Sequence, residues 1–171
     1  MELTEDLKDA IATGYARRDR DDMTPTIAYF EGLLAEHPEH PVLVLEVAGA
    51  YDTAGREADA AVRYEQALDL GLDGDDLRRC LCQYGSTLRW LGRLEESVAV
   101  LERARAQFPQ SDAVRVFLAL SLAEAGSTDA AVAQLLTVIT DHADVTDLGR
   151  YAVGLRGLGT WLGAGRPEDA E

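Results

Sequence analysis

Asparagine is absent from the chain, lysine occurs once, at Lys8, and cysteine twice, at Cys80 and Cys82. Aromatic residues make up only 6%, so alanine and leucine must carry the packing, which favours helices over strands. No apolar run approaches the roughly 20 residues that a membrane span needs. Basic residues are scarce: sixteen stand against thirty-one acidic ones, a formal charge of −15. A surface this acidic repels phosphate backbones, so nucleic acid and anionic membranes are poor partners. Met1 to Asp6 holds neither a basic region nor an apolar core, which argues against a secretion signal and makes the cytoplasm the expected location. The lysine scarcity reads as the coding habit of a high-GC bacterial genome and carries no functional weight.

Cys80 and Cys82 lie two apart. On a helix they point about 200° apart, so they can neither pair with each other nor share a metal. A reducing compartment fits this usage.

What is present is an ordinary folded composition, 47% hydrophobic and 27% charged over 171 residues, long enough for one domain with a sizeable core. Self-similarity then organises the chain. Ala48 to Arg56, Gly85 to Arg93 and Ala119 to Ser127 each read small-x-x-large-x-x-x-Gly. Gly92 and Gly126 are 34 residues apart, Gly55 and Gly92 37 apart. Five residues beyond each glycine come Ala60, Ser97 and Ala131; nine beyond come Tyr64, Leu101 and Leu135. The extra residues of the longer gap fall in Leu70 to Asp76, a turn-rich stretch where insertion costs little. Each unit holds two apolar-periodic segments split by a glycine that can close the first helix in the left-handed conformation. Neither helix buries its stripe alone, so neighbours must stack.

This pattern resembles the tetratricopeptide repeat (TPR) family, whose 34-residue unit is a pair of helices with small residues at their crossing. The resemblance implies an all-α, right-handed TPR solenoid of antiparallel helix pairs. Its expected organisation is a single domain over 1–163: a degenerate repeat at 7–40, repeats at 41–77, 78–111 and 112–145, and a capping helix at 146–162. Residues 164–171 are expected to form a flexible tail. In the degenerate unit Gly14 takes the small position and Phe30 the large one, and Thr24 is expected to cap a helix begun by Pro25. Leu148, Tyr151, Leu155, Leu158 and Leu162 suggest a single closing helix.

Chemistry-bearing motifs are sparse. His37 and His40 have metal-like spacing but no third soft ligand nearby, and His142 reads as a turn residue. Asp69 to Asp76 superficially suggests a calcium loop, but Gly71 and Cys80 occupy positions that need oxygen donors. Those aspartates are better placed as caps of a helix starting near Leu77. The glycines at 154, 157 and 159 follow no strand, so a phosphate loop is not supported. No nucleophile setting is recognisable. No metal, cofactor or enzymatic activity is expected.

The family's groove positions, carried onto this sequence, give Lys8, Ile11, Tyr15 and Arg18, then Val42, Leu45, Gly49 and Asp52, then Arg79, Cys82, Ser86 and Arg89. Val116, Leu120 and Arg150 continue the face. Five basic residues fall on it, against two acidic ones, Asp52 and Asp147. The resemblance therefore implies a groove of apolar patches fringed by arginine, suited to a protein or peptide partner with hydrophobic and acidic groups. The alternative is that the arginine stems merely cover apolar helix surface. The carboxylate clamp of the chaperone-binding subset needs lysines and asparagines that this chain lacks. The architecture resembles small stand-alone bacterial members, including a "group 5" set, and secretion chaperones that hold a hydrophobic segment. Self-association through the 148–162 helix is the competing reading, leaving monomer and homodimer both open.

Overall fold

The structure, a computed structural model, describes residues 3–143 and 147–165. Its helices are α1 (Glu5–Ala16), α2 (Thr24–Glu36), α3 (Pro41–Thr53), α4 (Glu57–Asp69), α5 (Gly74–Trp90), α6 (Leu94–Gln107), α7 (Asp112–Glu124), α8 (Thr128–Asp141) and α9 (Ala152–Gly163). A 3-10 turn over Asp147–Tyr151 precedes α9. Among the described residues there is no strand, and the fold is the expected all-α helical repeat. The expected tail falls largely on 166–171, outside the described residues.

Two compact units divide the chain, the first ending at Gly92 and the second beginning at Arg93. In the first, each helix from α1 to α5 packs on its neighbour in sequence, and α3 also meets α5. The core centres on α3, whose Leu43, Val44, Leu45, Val47 and Ala48 are all buried. A helix apolar on nearly every face must be covered from several sides, and α2, α4 and α5 cover this one. In the second unit, Leu101 of α6 packs with Leu118, Ala119 and Leu122 of α7 and Ala131 of α8. There the buried hydroxyls of Ser97 and Ser121 pair at 2.7 Å across α6 and α7.

Two glycine roles follow from geometry. Gly55 has φ 71° and Gly126 φ 83°, and each lets the next residue's N–H return to the helix it leaves. Arg56 N donates to Tyr51 O at 2.9 Å and Ser127 N to Leu122 O at 2.8 Å, satisfying carbonyls the helix end would orphan. Gly14 serves close approach: a Cβ there would stand 2.6 Å from Phe30 Cζ and 2.9 Å from Tyr29 Cε1. The small and large positions of the degenerate unit thus meet across α1 and α2.

Three local expectations are corrected. Thr24 is the first residue of α2 and its cap position is Met23, which has no capping side chain; instead Thr24 N donates to Asp22 Oδ1 at 3.0 Å. Helix α5 starts at Gly74, three residues before Leu77, so Asp75 and Asp76 lie inside its first turn. Carboxylates are favoured there by the same dipole that favours caps, and Asp75 also holds Arg78 at 2.6 Å. The closing segment is a 3-10 turn followed by α9 rather than one helix. Its buried residues are Ala152, Gly159 and Leu162, because Gly159 sits against α8, where a Cβ would come 3.3 Å from Leu136 Cβ. Leu148, Tyr151, Leu158 and Trp161 stay exposed.

Candidate binding surface

Glu46 is the single acidic residue of α3 before its last turn, and it is 2% exposed. Its two oxygens take separate partners on flanking helices. Oε2 accepts from the phenol of Tyr15 on α1, and Oε1 accepts from Arg79 Nη2 on α5 at 2.6 Å. A buried carboxylate tolerates this position only because both oxygens are engaged. Burial and then the Glu46 carboxylate push the Tyr15 phenol far above its ordinary range. Burial alone would lower the Arg79 guanidinium, but the charge and hydrogen bond of Glu46 outweigh it and keep the group firmly cationic.

Beside this cluster, in the first unit, lies a small depression of about 30 Å³. Tyr15 of α1, Arg18 just beyond the end of α1, Glu46 and Gly49 of α3, and Gln83 of α5 line it. The Arg18 guanidinium lies 5.3 Å from the Tyr15 ring centroid, within cation–π reach. Gly49 leaves the floor open, since a Cβ there would meet only Gln83 Nε2, at 3.8 Å. Gln83 Oε1 is buried without a hydrogen-bond donor.

One turn further along α3, Asp52 Oδ1 accepts from Thr87 Oγ1 of α5 at 3.0 Å. The Tyr64 hydroxyl of α4 reaches its other oxygen at 3.4 Å. Burial raises the Asp52 carboxyl above its usual value, against the lowering effect of those two donors.

The sequence-derived positions therefore separate into three sets. Tyr15, Arg18, Gly49 and, through Glu46, Arg79 come together around the depression. Ile11, Val42, Leu45 and Cys82 are buried; α3 and α5 are covered on faces that a family register alone leaves open. Lys8 pairs with Glu5 at 2.7 Å, both side chains exposed on α1. Ser86 is half-buried, and the Arg89 guanidinium lies 5.0 Å from the Trp90 centroid. In the second unit Val116 and Leu120 are exposed on α7, and Arg150 lies over Tyr151 at 5.6 Å.

The positions carried over from the family include no glutamate, yet Glu46 stands at the centre of this surface, joined to Tyr15 and Arg79. A glutamate in place of Arg79 would set two carboxylates face to face at a buried site. The signal that could have found Glu46 is its place as a lone acid in the run Pro41-Val-Leu-Val-Leu-Glu46-Val-Ala48. A second pattern carried no local signal. Tyr51 of α3 donates to Glu31 of α2, and Tyr84 of α5 donates to Glu65 of α4, so the same phenol–carboxylate tie recurs between successive helices.

The matching family model, described as "Tetratrico peptide repeat", spans residues 41–154, more than half of the chain. Among solved structures, MamA aligns at 18% identity with a TM-score of 0.67, over 88% of this chain and 90% of that one. A MamA RS-1 ArsTM double mutant aligns at 12% identity with a TM-score of 0.66, over 98% of this chain and all of the other. At such identities these likenesses speak for the fold. No curated protein sequence matches the chain. With helix pairs, turn glycines and close-packed small residues falling where the family model aligns, the chain belongs to the tetratricopeptide repeat family.

Proposed function

We propose that the protein is a non-catalytic interaction scaffold of the cytoplasm that receives a peptide segment of a partner on the α1–α3–α5 face of its first unit. The observation that carries this reading is the depression between Tyr15, Arg18, Gly49 and Gln83, open because residue 49 has no side chain. A peptide group would offer Gln83 Oε1 the N–H it lacks, and an apolar side chain would sit on the Tyr15 ring. Because Arg79 is committed to Glu46, Arg18 is the guanidinium left to meet an acidic group of the partner. No helix among the described residues is long and apolar enough to cross a membrane, in keeping with a partner met away from the lipid bilayer.

The test is selection of binders from a displayed peptide library, followed by affinity measurement against wild type and Gly49→Leu. The leucine's Cβ has room there, meeting only Gln83 Nε2 at 3.8 Å, and the rest of the side chain is directed to occupy the depression. Retained affinity in that variant would sink the reading.

A second reading, self-association, is favoured by a different surface. Val132, Leu135 and Ile139 recur at helical spacing on α8 and are each more than a third exposed. Light scattering of wild type and Leu135→Glu separates the two: a dimer dispersed by the substitution supports self-association, and a monomer in both supports the peptide scaffold.

A further inference from the structure

The second unit holds a larger concavity, about 520 Å³, where the start of α7, the end of α8 and the start of α9 converge. Arg115, Arg156 and His142 line it, together with Asp112 and Asp141. His142 Nε2 lies 2.6 Å from Asp112 Oδ2. Arg156 spends a single nitrogen, Nη2, on both Thr140 O at 3.1 Å and Asp141 Oδ1 at 3.3 Å. Arg115 donates to Pro109 O at 2.8 Å and, at a long 3.4 Å, to Gln134 Oε1. Among the described residues it has no carboxylate partner.

Arg115 faces this cavity together with a second guanidinium, Arg156, whose donors are only partly used. With His142 protonated the lining carries one positive charge in excess; with His142 neutral it carries none. We propose that this pocket binds a single carboxylate group carried by a peptide, held by Arg115 and Arg156. A monoanion matches the excess charge, whereas dianionic phosphate would add a second negative charge facing Asp112 and Asp141. Arg115 and Arg156 supply directed donors whose planar fork matches a carboxylate.

The site is independent of the first-unit depression, so either can fail alone. It is also sensitive to pH. The hydrogen bond that His142 donates to Asp112, then the charges of Asp112 and Asp141, raise the His142 imidazole above its ordinary value. The groups facing it are Asp112 and Arg115 from α7, Asp141 from α8 and Arg156 from α9. Below the raised value the imidazolium neutralises Asp112. As pH rises through that value the Asp112 charge is exposed to the incoming carboxylate, so affinity falls.

The experiment is an NMR titration following the His142 ring and the Arg115 and Arg156 side chains. The probes are an acetylated, amidated Ala-Glu-Ala peptide, an acetylated trialanine with a free C-terminal carboxylate, an acetylated, amidated Ala-Gln-Ala peptide, and inorganic phosphate. Saturable shifts from either carboxylate peptide but not from the glutamine peptide are expected, and the stronger of the two identifies a side-chain or a terminal source. Arg115→Gln and Arg156→Gln should each weaken binding about tenfold. Val153→Glu, at a rim position 85% exposed, should weaken it with no change in melting temperature, which separates ligand loss from misfolding. Equal binding of the glutamine peptide, preference for phosphate, unchanged affinity in all three variants, or no shifts from either carboxylate peptide would overturn the proposal.

Discussion

Arg79 Nη2 stands 2.6 Å from Oε1 of Glu46, and the pair ties α5 to α3 at the point where Tyr15 of α1 reaches the same carboxylate. Three helices distant in sequence thus share one buried acid. Breaking such a pair by removing one partner strands a charge.

Arg79→Gln is accordingly expected to destabilise the protein by about 3 kcal/mol, and Arg79→Glu by more, measured by urea denaturation. The double variant Glu46→Gln/Arg79→Gln should recover part of that loss, because no unpaired charge remains. Additive effects of the two single changes would mean that the pair is not coupled.

Asp52 gives a pH signature. Its folded-state carboxyl is raised by burial, so the native state holds that proton more tightly than the unfolded chain. The resulting stability is fully present below the ordinary aspartate value and is lost as pH rises through the raised one. Asp52→Asn removes the titration while keeping an acceptor for Thr87. The stability of wild type relative to the variant should therefore fall across that window, followed by chemical denaturation at a series of pH values. A difference independent of pH would contradict the assignment.

Gly55 and Gly32 should respond in opposite directions to alanine. At Gly55 the φ of 71° makes a side chain strained, and Gly55→Ala should destabilise by about 1 kcal/mol. Gly32 lies in the interior of α2, exposed and with nothing within 4 Å of a Cβ. Gly32→Ala should stabilise by about 0.5–1 kcal/mol through helix propensity. Thermal denaturation of the two variants against wild type reads both signs in one experiment.

The repeat was legible in the sequence because sterics leave little choice at its key positions. A positive φ at Gly55, Gly92 and Gly126 and a close helix approach at Gly14 each restrict the residue type, and restricted types show through as spacing. The candidate surface was less legible. A groove register assigns side chains to faces from an isolated repeat, and it cannot see that α2, α4 and α5 bury most of α3. Pairings between residues far apart in sequence, such as Tyr15 with Glu46 or Asp112 with His142, leave no periodic trace. Single ionisable residues in apolar runs were the one usable hint, and Glu46 was such a residue.

The burial of both native thiols has a practical side. Cys80 is packed with its sulfur 3.8 Å from Tyr64 O, and burial raises the Cys82 thiol above its usual value, which depletes the reactive thiolate. The molecule therefore arrives as a nearly blank background for site-directed labelling. A cysteine introduced at an exposed position such as Val153 would react far ahead of the native pair, so spin or fluorescence reporters could be set one at a time without rebuilding the interior.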